Sequence, residues 1–295
     1  MGETMAQLSA TPPESLADAR HLALDVAGAE STVALYLAHL GHPVAWVSRV
    51  GLDPFGTRIE ALLRAAGVDT SWVTADPGRP TGVYFKDPAP GGTAVHYYRA
   101  GSAASAMTPA TVPDDLRAAV HTLHITGITP ALSDTCAAMT LSLMDPGPGR
   151  GYTVSFDVNY RAALWRHRDA SGELLRLANL ADVVFVGLDE ARLLWGSPTA
   201  REVRTLIDAP AELIVKDGGV GATAFVGADE VFEPAVPVEV TEPVGAGDSF
   251  AAGYLHERLR GTAPRGRIQT AHRLAAAVLR TTADFVPPAT TLGPA

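Results

Sequence analysis

The chain has 295 residues, of which 47% are hydrophobic and 19% charged, and its formal net charge is −9. This composition is typical of a folded globular protein and excludes a disordered or fibrous chain. The negative charge argues against nucleic acid or an anionic membrane as a partner, because both bind cationic surfaces. The apolar runs are far shorter than a bilayer span, and the N-terminus lacks the basic and then apolar pattern of a secretory signal peptide. We therefore expect a cytoplasmic protein.

A β-hairpin is predicted in the first half of the chain. Two β-rich runs, residues 81–85 and 93–99, flank a linker rich in Pro and Gly. Since isolated hairpins are only marginally stable, we expect it to join other strands. Tyr84, Tyr97 and Arg99 lie on these runs. They suggest that the hairpin faces a ligand, although a plain edge hairpin with aromatic strand residues is the alternative.

From residue 122 onwards, short apolar runs alternate with helix-like segments. The runs are residues 123–126, 152–156, 183–186 and 213–216. Alternating strands and helices predict an α/β domain whose parallel sheet is covered by helices on both faces. Each run ends in polar or glycine residues. A ligand site is therefore expected at the carboxyl ends of the strands.

A glycine-rich turn near the C-terminus, Gly245-Ala-Gly-Asp248, precedes a helix-like segment. Its backbone N–H groups can converge on an anion, and a carboxylate in that place can take a proton from an attacking alcohol. This combination suits phosphoryl transfer to a hydroxyl. The alternative is an ordinary helix start, because Asp is a favoured N-cap. The P-loop and the dinucleotide fingerprint do not match, since the glycines and lysines they require are absent from this stretch.

Residues 242–253 resemble the C-terminal signature of the ribokinase-like (PfkB) carbohydrate kinases, written D-T-x-G-A-G-D. Residues 97–103, 124–133 and 156–165 resemble the 2-keto-3-deoxygluconate (KDG) kinase branch of that family. The resemblance implies one kinase domain over residues 1–295, with a mostly parallel central sheet flanked by helices. It also implies a small β-strand lid, with strands around residues 3–27 and 81–105, that forms a homodimer contact.

The family resemblance implies transfer of the γ-phosphoryl group of ATP, with Mg²⁺, to a primary hydroxyl of a sugar acid. Asp248 would be the catalytic base in contact with the sugar, and the backbone of Gly245, Ala246 and Gly247 would stabilise the developing charge. The residues implied in ATP binding are Asn159, Arg161, Lys216, Gly218, Gly221, Gly245 and Gly247. Glu190 is the implied metal ligand, although Gly187 replaces the asparagine of the family's N-x-x-E motif.

The sugar acid would bind to two arginines and a wall of small residues. Arg99 matches a position at which KDG kinases place the lid residues that meet the sugar acid, and Arg161 matches one at which they place an arginine between sugar and phosphate. A guanidinium fork suits a carboxylate. The other implied substrate residues are Gly28, Ala29, Glu30, Thr32, Tyr84 and Tyr97. A kinase for a neutral sugar or a nucleoside is one alternative, and a non-catalytic sugar-acid-binding relative is another.

The start of the chain departs from the family pattern. Gly2-Glu3 resembles a segment that normally follows the first strand of the central sheet, and here only Met1 precedes it. Either the true start lies upstream of Met1 or the protein lacks an interior strand. We expect the former, because an unpaired interior position of a sheet is costly.

Overall fold

The structure is a computed structural model that describes residues 1–89, 92–145, 147, 150–281 and 285–287. Its strands are β1 Met5–Ala10, β2 Leu22–Ala27, β3 Ser48–Gly51, β4 Val73–Asp76, β5 Val83–Ala89, β6 Gly92–Tyr98, β7 Thr122–Thr126, β8 Thr153–Asp157, β9 Val183–Gly187, β10 Glu212–Asp217, β11 Gly221–Val226 and β12 Asp229–Pro234. Its α-helices are α1 Ala29–His39, α2 Pro54–Ala65, α3 Asp114–Ala119, α4 Ile128–Ala131, α5 Asp134–Met144, α6 Ala170–Leu180, α7 Leu188–Trp195, α8 Ala200–Leu206, α9 Ala246–Leu259 and α10 Pro264–Leu279.

The largest sheet has six strands in the order β12-β11-β10-β9-β8-β7. Strands β7 to β10 are parallel, whereas β11 and β12 continue the sheet antiparallel. The four predicted apolar runs therefore form the parallel part, and the predicted α/β class is confirmed. The parallel alignment brings the carboxyl ends of β8, β9 and β10 to one edge.

Both faces of this sheet are buried, and β9 shows how. Val183 and Phe185 pack in one core with residues of α1, α9 and α10. Val184 and Val186 pack in a second core with residues of α5 to α8. Because side chains alternate along a strand, a continuous apolar run places one strand between two layers of helices.

A second, four-stranded sheet has the order β2-β1-β5-β6. β5 and β6 form the predicted hairpin, in which Tyr84 lies opposite Tyr97, and β1 pairs with β5 in parallel. β2 completes the sheet antiparallel to β1. We call this sheet the lid sheet.

β3 and β4 form a separate parallel pair, so the predicted single central sheet is divided. Residues 1–2 lie between the two parts. The Met1 amine donates to the His124 carbonyl oxygen at 2.8 Å, and the Gly2 N–H donates to the Val47 carbonyl oxygen at 3.3 Å. In the described part of the chain, no helix is both long and apolar enough to cross a membrane.

Candidate active site

A cleft of about 1520 Å³ lies between the lid sheet and the carboxyl ends of the parallel strands. The lid sheet contributes Tyr84 and Arg99, the strand ends contribute Asp157 and Lys216, and the start of α9 contributes Asp248. This is the edge at which the alternation of strands and helices predicts a ligand site. The cleft therefore has a lid end and a strand end, with Asp248 as a candidate reacting group.

The Gly-Ala-Gly-Asp turn has the geometry that the sequence predicts. Gly245 caps α9 in the left-handed region at φ 82°, which glycine adopts without steric cost. Asp248 is the third residue of α9, within the first turn, whose N–H groups lack partners inside the helix. The Asn159 side-chain amide donates to Asp248 Oδ1 at 3.2 Å. Asn159 itself has a positive φ of 39°, in the left-handed region that asparagine adopts more readily than most residues.

The protonation of Asp248 is tuned by its surroundings. Burial raises its pKa to about 7, and the Asp157 carboxylate acts in the same direction. Arg161 and Lys216 oppose that rise. A carboxyl group with a pKa near neutral pH is suited to general base catalysis, because it is partly deprotonated and still basic.

An ion pair occupies the strand end of the cleft. Lys216 Nζ donates to Asp157 Oδ2 at 2.8 Å, and the Asp157 side chain is 1% exposed. Burial lowers the pKa of Lys216, but the Asp157 and Glu190 carboxylates outweigh it, so the net pKa is raised. Lys216 is thus a cation held inside the site.

At the lid end, Arg99 is paired rather than free. Its guanidinium bonds the Glu3 carboxylate through Nε at 2.6 Å and through Nη2, and the Glu3 side chain is 1% exposed. The Ser102 hydroxyl also donates to Glu3. The Arg99 guanidinium carbon lies 5.7 Å from the Tyr97 ring centroid, and the ring centroids of Tyr97 and Tyr84 are 5.5 Å apart. The Arg99–Glu3 pair therefore offers directed N–H groups while carrying no net charge.

The wall formed by α1 depends on close backbone contact. A β-carbon at Gly28 would lie 2.6 Å from the Glu3 carbonyl oxygen, so only glycine fits there. Ala29 and Thr32 line the cleft beside it. Glu30 does not: its Oε1 accepts from the Thr126 and Thr129 hydroxyls at 2.8 and 2.7 Å, which turns the carboxylate towards β7 and away from the cleft.

With Glu30 as the one exception, the structure brings the predicted site residues together. Those that line the cleft are Gly28, Ala29, Thr32, Tyr84, Tyr97, Arg99, Asn159, Arg161, Glu190, Lys216, Gly218, Gly221, Gly245, Ala246, Gly247 and Asp248. Glu3 and Asp157 are the partners of the two cations, and neither was predicted as a site residue. Asp157 stands out in the sequence as a polar residue at a strand end, and Glu3 only through the family-like Gly2-Glu3 segment.

The metal prediction is not matched by a preformed site. Among the described residues, no group of three or more His, Cys, Asp and Glu side chains is placed to hold a metal ion. Glu190 uses both carboxylate oxygens, which accept the Tyr160 and Gly187 N–H groups at 2.7 Å each. Burial raises the pKa of Glu190, and nearby Lys216 opposes that rise.

Comparison with known proteins gives a consistent result along the whole chain. The family model described as pfkB family carbohydrate kinase matches residues 1–288. The 2-dehydro-3-deoxygluconokinase of Bacillus subtilis is 36% identical over 290 residues, covering 96% of this chain and 90% of that protein. The 2-dehydro-3-deoxygluconokinase of Thermoproteus tenax is 34% identical, covering 96% of this chain and 88% of that protein.

Solved structures agree in fold. A PfkB protein from Polaromonas sp. JS666 superposes with a TM-score of 0.88 at 33% identity, covering 96% of this chain and 95% of that one. The 2-dehydro-3-deoxygluconokinase of Thermotoga maritima also gives a TM-score of 0.88, at 23% identity, covering 97% of this chain and 93% of that one.

Proposed function

Because the chain belongs to the pfkB family of carbohydrate kinases, we propose that it transfers the γ-phosphoryl group of MgATP to a primary hydroxyl of a sugar acid. The substrate is 2-keto-3-deoxygluconate and the product its 6-phosphate. One observation carries the proposal: Asp248, with a pKa of about 7, lies at the start of α9 in the cleft that Lys216 and the lid residues also line.

In the proposed mechanism, Asp248 accepts the proton of the sugar hydroxyl while Asn159 holds the carboxylate in place. The Gly245–Gly247 backbone and the first N–H groups of α9 face the phosphoryl group, whose equatorial oxygens carry the charge of the transition state. Arg161 lines the same cleft and is placed to add a guanidinium. Transfer then needs only in-line positioning of the hydroxyl, which the lid sheet provides.

Mg²⁺ fits this site as an ion that arrives with ATP. Magnesium usually keeps several waters and binds one or two carboxylates together with substrate phosphates, so no three-ligand protein site is needed. Glu190 faces the cleft but is occupied by two backbone N–H groups, so we assign it to waters of the hydrated ion. When bound, the ion would neutralise phosphate charge.

The preference for a sugar acid rests on the relatives' names and on two arginines. The contacts of Arg99 with Glu3 use Nε and one N–H of Nη2, which leaves the N–H groups of Nη1 and the second of Nη2 to meet the sugar carboxylate. Arg161 adds a second guanidinium to the cleft, near Asp248. The Glu3 pairing also favours a second candidate, a kinase for a neutral sugar, because it cancels the charge of Arg99; a fructokinase of Oryza sativa subsp. japonica is 31% identical over 248 residues.

A substrate panel tests the proposal. KDG, its galactose-derived epimer, ribose, fructose and adenosine are each offered with MgATP, and ADP formation and the phosphate position are measured. We expect kcat/KM for a sugar acid to exceed that for the neutral substrates by about tenfold or more, and EDTA to abolish turnover. Preference for a neutral sugar would support the second candidate. Binding of the sugar acid without turnover would indicate a non-catalytic relative.

We also propose that the lid sheet forms a homodimer. Side chains alternate along its strands, so Phe85 and Tyr98 lie on the face opposite Tyr84 and Tyr97. Leu22 is 41% and Tyr98 68% exposed, and Phe85 contacts Tyr98 with ring centroids 5.6 Å apart. Light scattering on the wild type and on Leu22→Asp/Tyr98→Ser tests this. A dimeric wild type and a monomeric variant are expected, and a monomeric wild type would rule the dimer out.

A further inference from the structure

The Lys216–Asp157 ion pair spans the middle of the site. Lys216 lies opposite Gly187 of β9 in the β10–β9 register, and Asp157 lies opposite Phe185 in the β8–β9 register. The two residues therefore stand on strands that are not neighbours, and the lysine side chain crosses the carboxyl end of β9 to reach the carboxylate. The Lys216 ammonium is therefore held at the carboxyl ends of the parallel strands, which is where ligands bind in sheets of this kind.

The ammonium also lies against the Gly-Ala-Gly-Asp turn. A β-carbon at Gly247 would lie 3.5 Å from Lys216 Nζ, at ordinary van der Waals distance, so the ammonium lies directly beside the turn. An ammonium group has three N–H donors, and the bond to Asp157 uses one of them. The turn and the lysine thus present N–H groups to the same region of the cleft. Asp248 is close enough to raise the pKa of Lys216.

Building on the proposed function, we propose that Lys216 is a catalytic residue of phosphoryl transfer and that Asp157 is its positioning residue. Lys216 stays bonded to Asp157 and directs its other N–H groups to the oxygens of the transferred phosphoryl group. The bond from the substrate hydroxyl oxygen to the γ-phosphorus forms while the bond from that phosphorus to the bridging oxygen breaks. ADP leaves with the electron pair, the hydroxyl proton passes to Asp248, and Lys216 keeps its three protons.

The competing explanation is that Lys216 only neutralises a buried carboxylate. Lys216→Met alone does not separate the two, because it leaves Asp157 buried and unpaired and can impair folding. The double variant Lys216→Met/Asp157→Asn removes both charges. We expect its melting temperature to recover relative to Lys216→Met, while kcat for the preferred sugar stays lower than the wild-type value by about 10² or more. A kcat within about tenfold of wild type in the double variant would overturn the proposal.

Nucleotide binding gives a readout that does not depend on turnover. Calorimetry with MgADP and with MgATP is performed on the wild type and the double variant. We expect the affinity for MgATP to fall by about tenfold or more, and that for MgADP to change by less than about twofold, because only ATP carries the transferred group. Equal losses for both nucleotides, or no loss for either, would refute the role of Lys216.

The substrate panel and the calorimetry together distinguish a failure of the proposed kinase function from a failure of the proposed role of Lys216. If the wild type phosphorylates no sugar of the panel but the double variant still loses MgATP affinity selectively, the proposed function fails and the contact of Lys216 with the terminal phosphate stands. If the wild type is an active kinase and the double variant matches it in kcat and in MgATP affinity, the function stands and the role of Lys216 fails.

The same sheet offers a matched control at its opposite end. Arg150 donates to Asp182 at 2.8 Å, just before β8 and β9 begin. Arg150→Met/Asp182→Asn likewise removes a cation and its carboxylate partner, away from the cleft. We expect a lower melting temperature with kcat and MgATP affinity changed by less than about twofold, since distant sites act independently. Equal kinetic losses in both double variants would show that any lost ion pair slows the enzyme, and would overturn the proposal.

Discussion

The two ends of the cleft each hold a cation against a buried carboxylate, but they stand on different supports. At the strand end, Lys216 and Asp157 come from the ends of parallel strands in the core. At the lid end, Arg99 follows an edge strand and Glu3 precedes β1, and the two are 96 residues apart in the chain. The strand end is fixed by the register of the central sheet, and the lid end by the docking of the lid sheet.

Their charge balance differs too. At the strand end, the carboxyl groups of Asp157, Glu190 and Asp248 outnumber the two cations Lys216 and Arg161. Burial raises the pKa of Asp248, and the Asp157 carboxylate adds to that rise. At the lid end, Arg99 and Glu3 cancel. On the proposed function, the strand end would depend on added positive charge to hold a triphosphate, whereas the lid end would select a sugar through the direction of its hydrogen bonds. The following predictions test this contrast.

The largest effect is expected at the strand end. Asp248→Asn should lower kcat by at least about 10² while ATP and sugar affinities stay close to wild type, because the amide keeps the shape but cannot accept the proton. Steady-state kinetics with calorimetry measure both. Asp229→Asn, outside the cleft, is the control. Turnover of Asp248→Asn within about tenfold of wild type would remove Asp248 as the base.

At the lid end we expect an effect on affinity instead of rate. Arg99→Met/Glu3→Gln should raise KM for the sugar acid about 10- to 100-fold, equivalent to a charge-assisted hydrogen bond of about 1.5–3 kcal/mol. KM for ATP should change little. Arg99→Ala alone should also reduce the free energy of unfolding by about 3–5 kcal/mol, because Glu3 would stay buried without its partner. Equal changes in KM for both substrates would place Arg99 outside the sugar site.

The pH profile tests the excess of carboxylates at the strand end. Since Asp248 must be deprotonated to act, kcat/KM should fall about tenfold per unit below pH 7. Arg161 lowers the pKa of Asp248, so Arg161→Met should move this limb to higher pH. If the acidic limb of the kcat/KM profile does not move in Arg161→Met, or lies near pH 4 in the wild type, Asp248 is not the base.

The smallest effect is expected at the α1 wall. Thr32 is buried and lines the cleft, so Thr32→Val should raise KM for the sugar by about 2- to 10-fold, as expected for one neutral hydrogen bond. Thr70→Val, also buried but outside the cleft, is the matched control. An unchanged KM in Thr32→Val would show that this wall contributes shape without hydrogen bonding.

Local patterns carried most of the predictable information. The four apolar runs and the Gly245–Asp248 turn are short-range signals, and each forms the element predicted from it. The partners of Arg99 and Lys216 could not be predicted, because Glu3 and Asp157 lie 96 and 59 residues away and meet them only after the sheets assemble. The prediction for Glu30 fails for the same reason, because the two threonines that hold its carboxylate belong to β7 and α4, about 100 residues away.

The position of β9 between two helical layers has a consequence for motion. Val183 to Val186 are fully buried and hydrogen-bonded strands lie on both sides, so their amides should be among the last to exchange with deuterium, through global unfolding. β6 is an edge strand whose Tyr97 and Tyr98 are largely exposed, so its amides should exchange through local opening. On the proposed function, the sugar would enter and leave past the edge strand while the central sheet keeps the reacting groups in register.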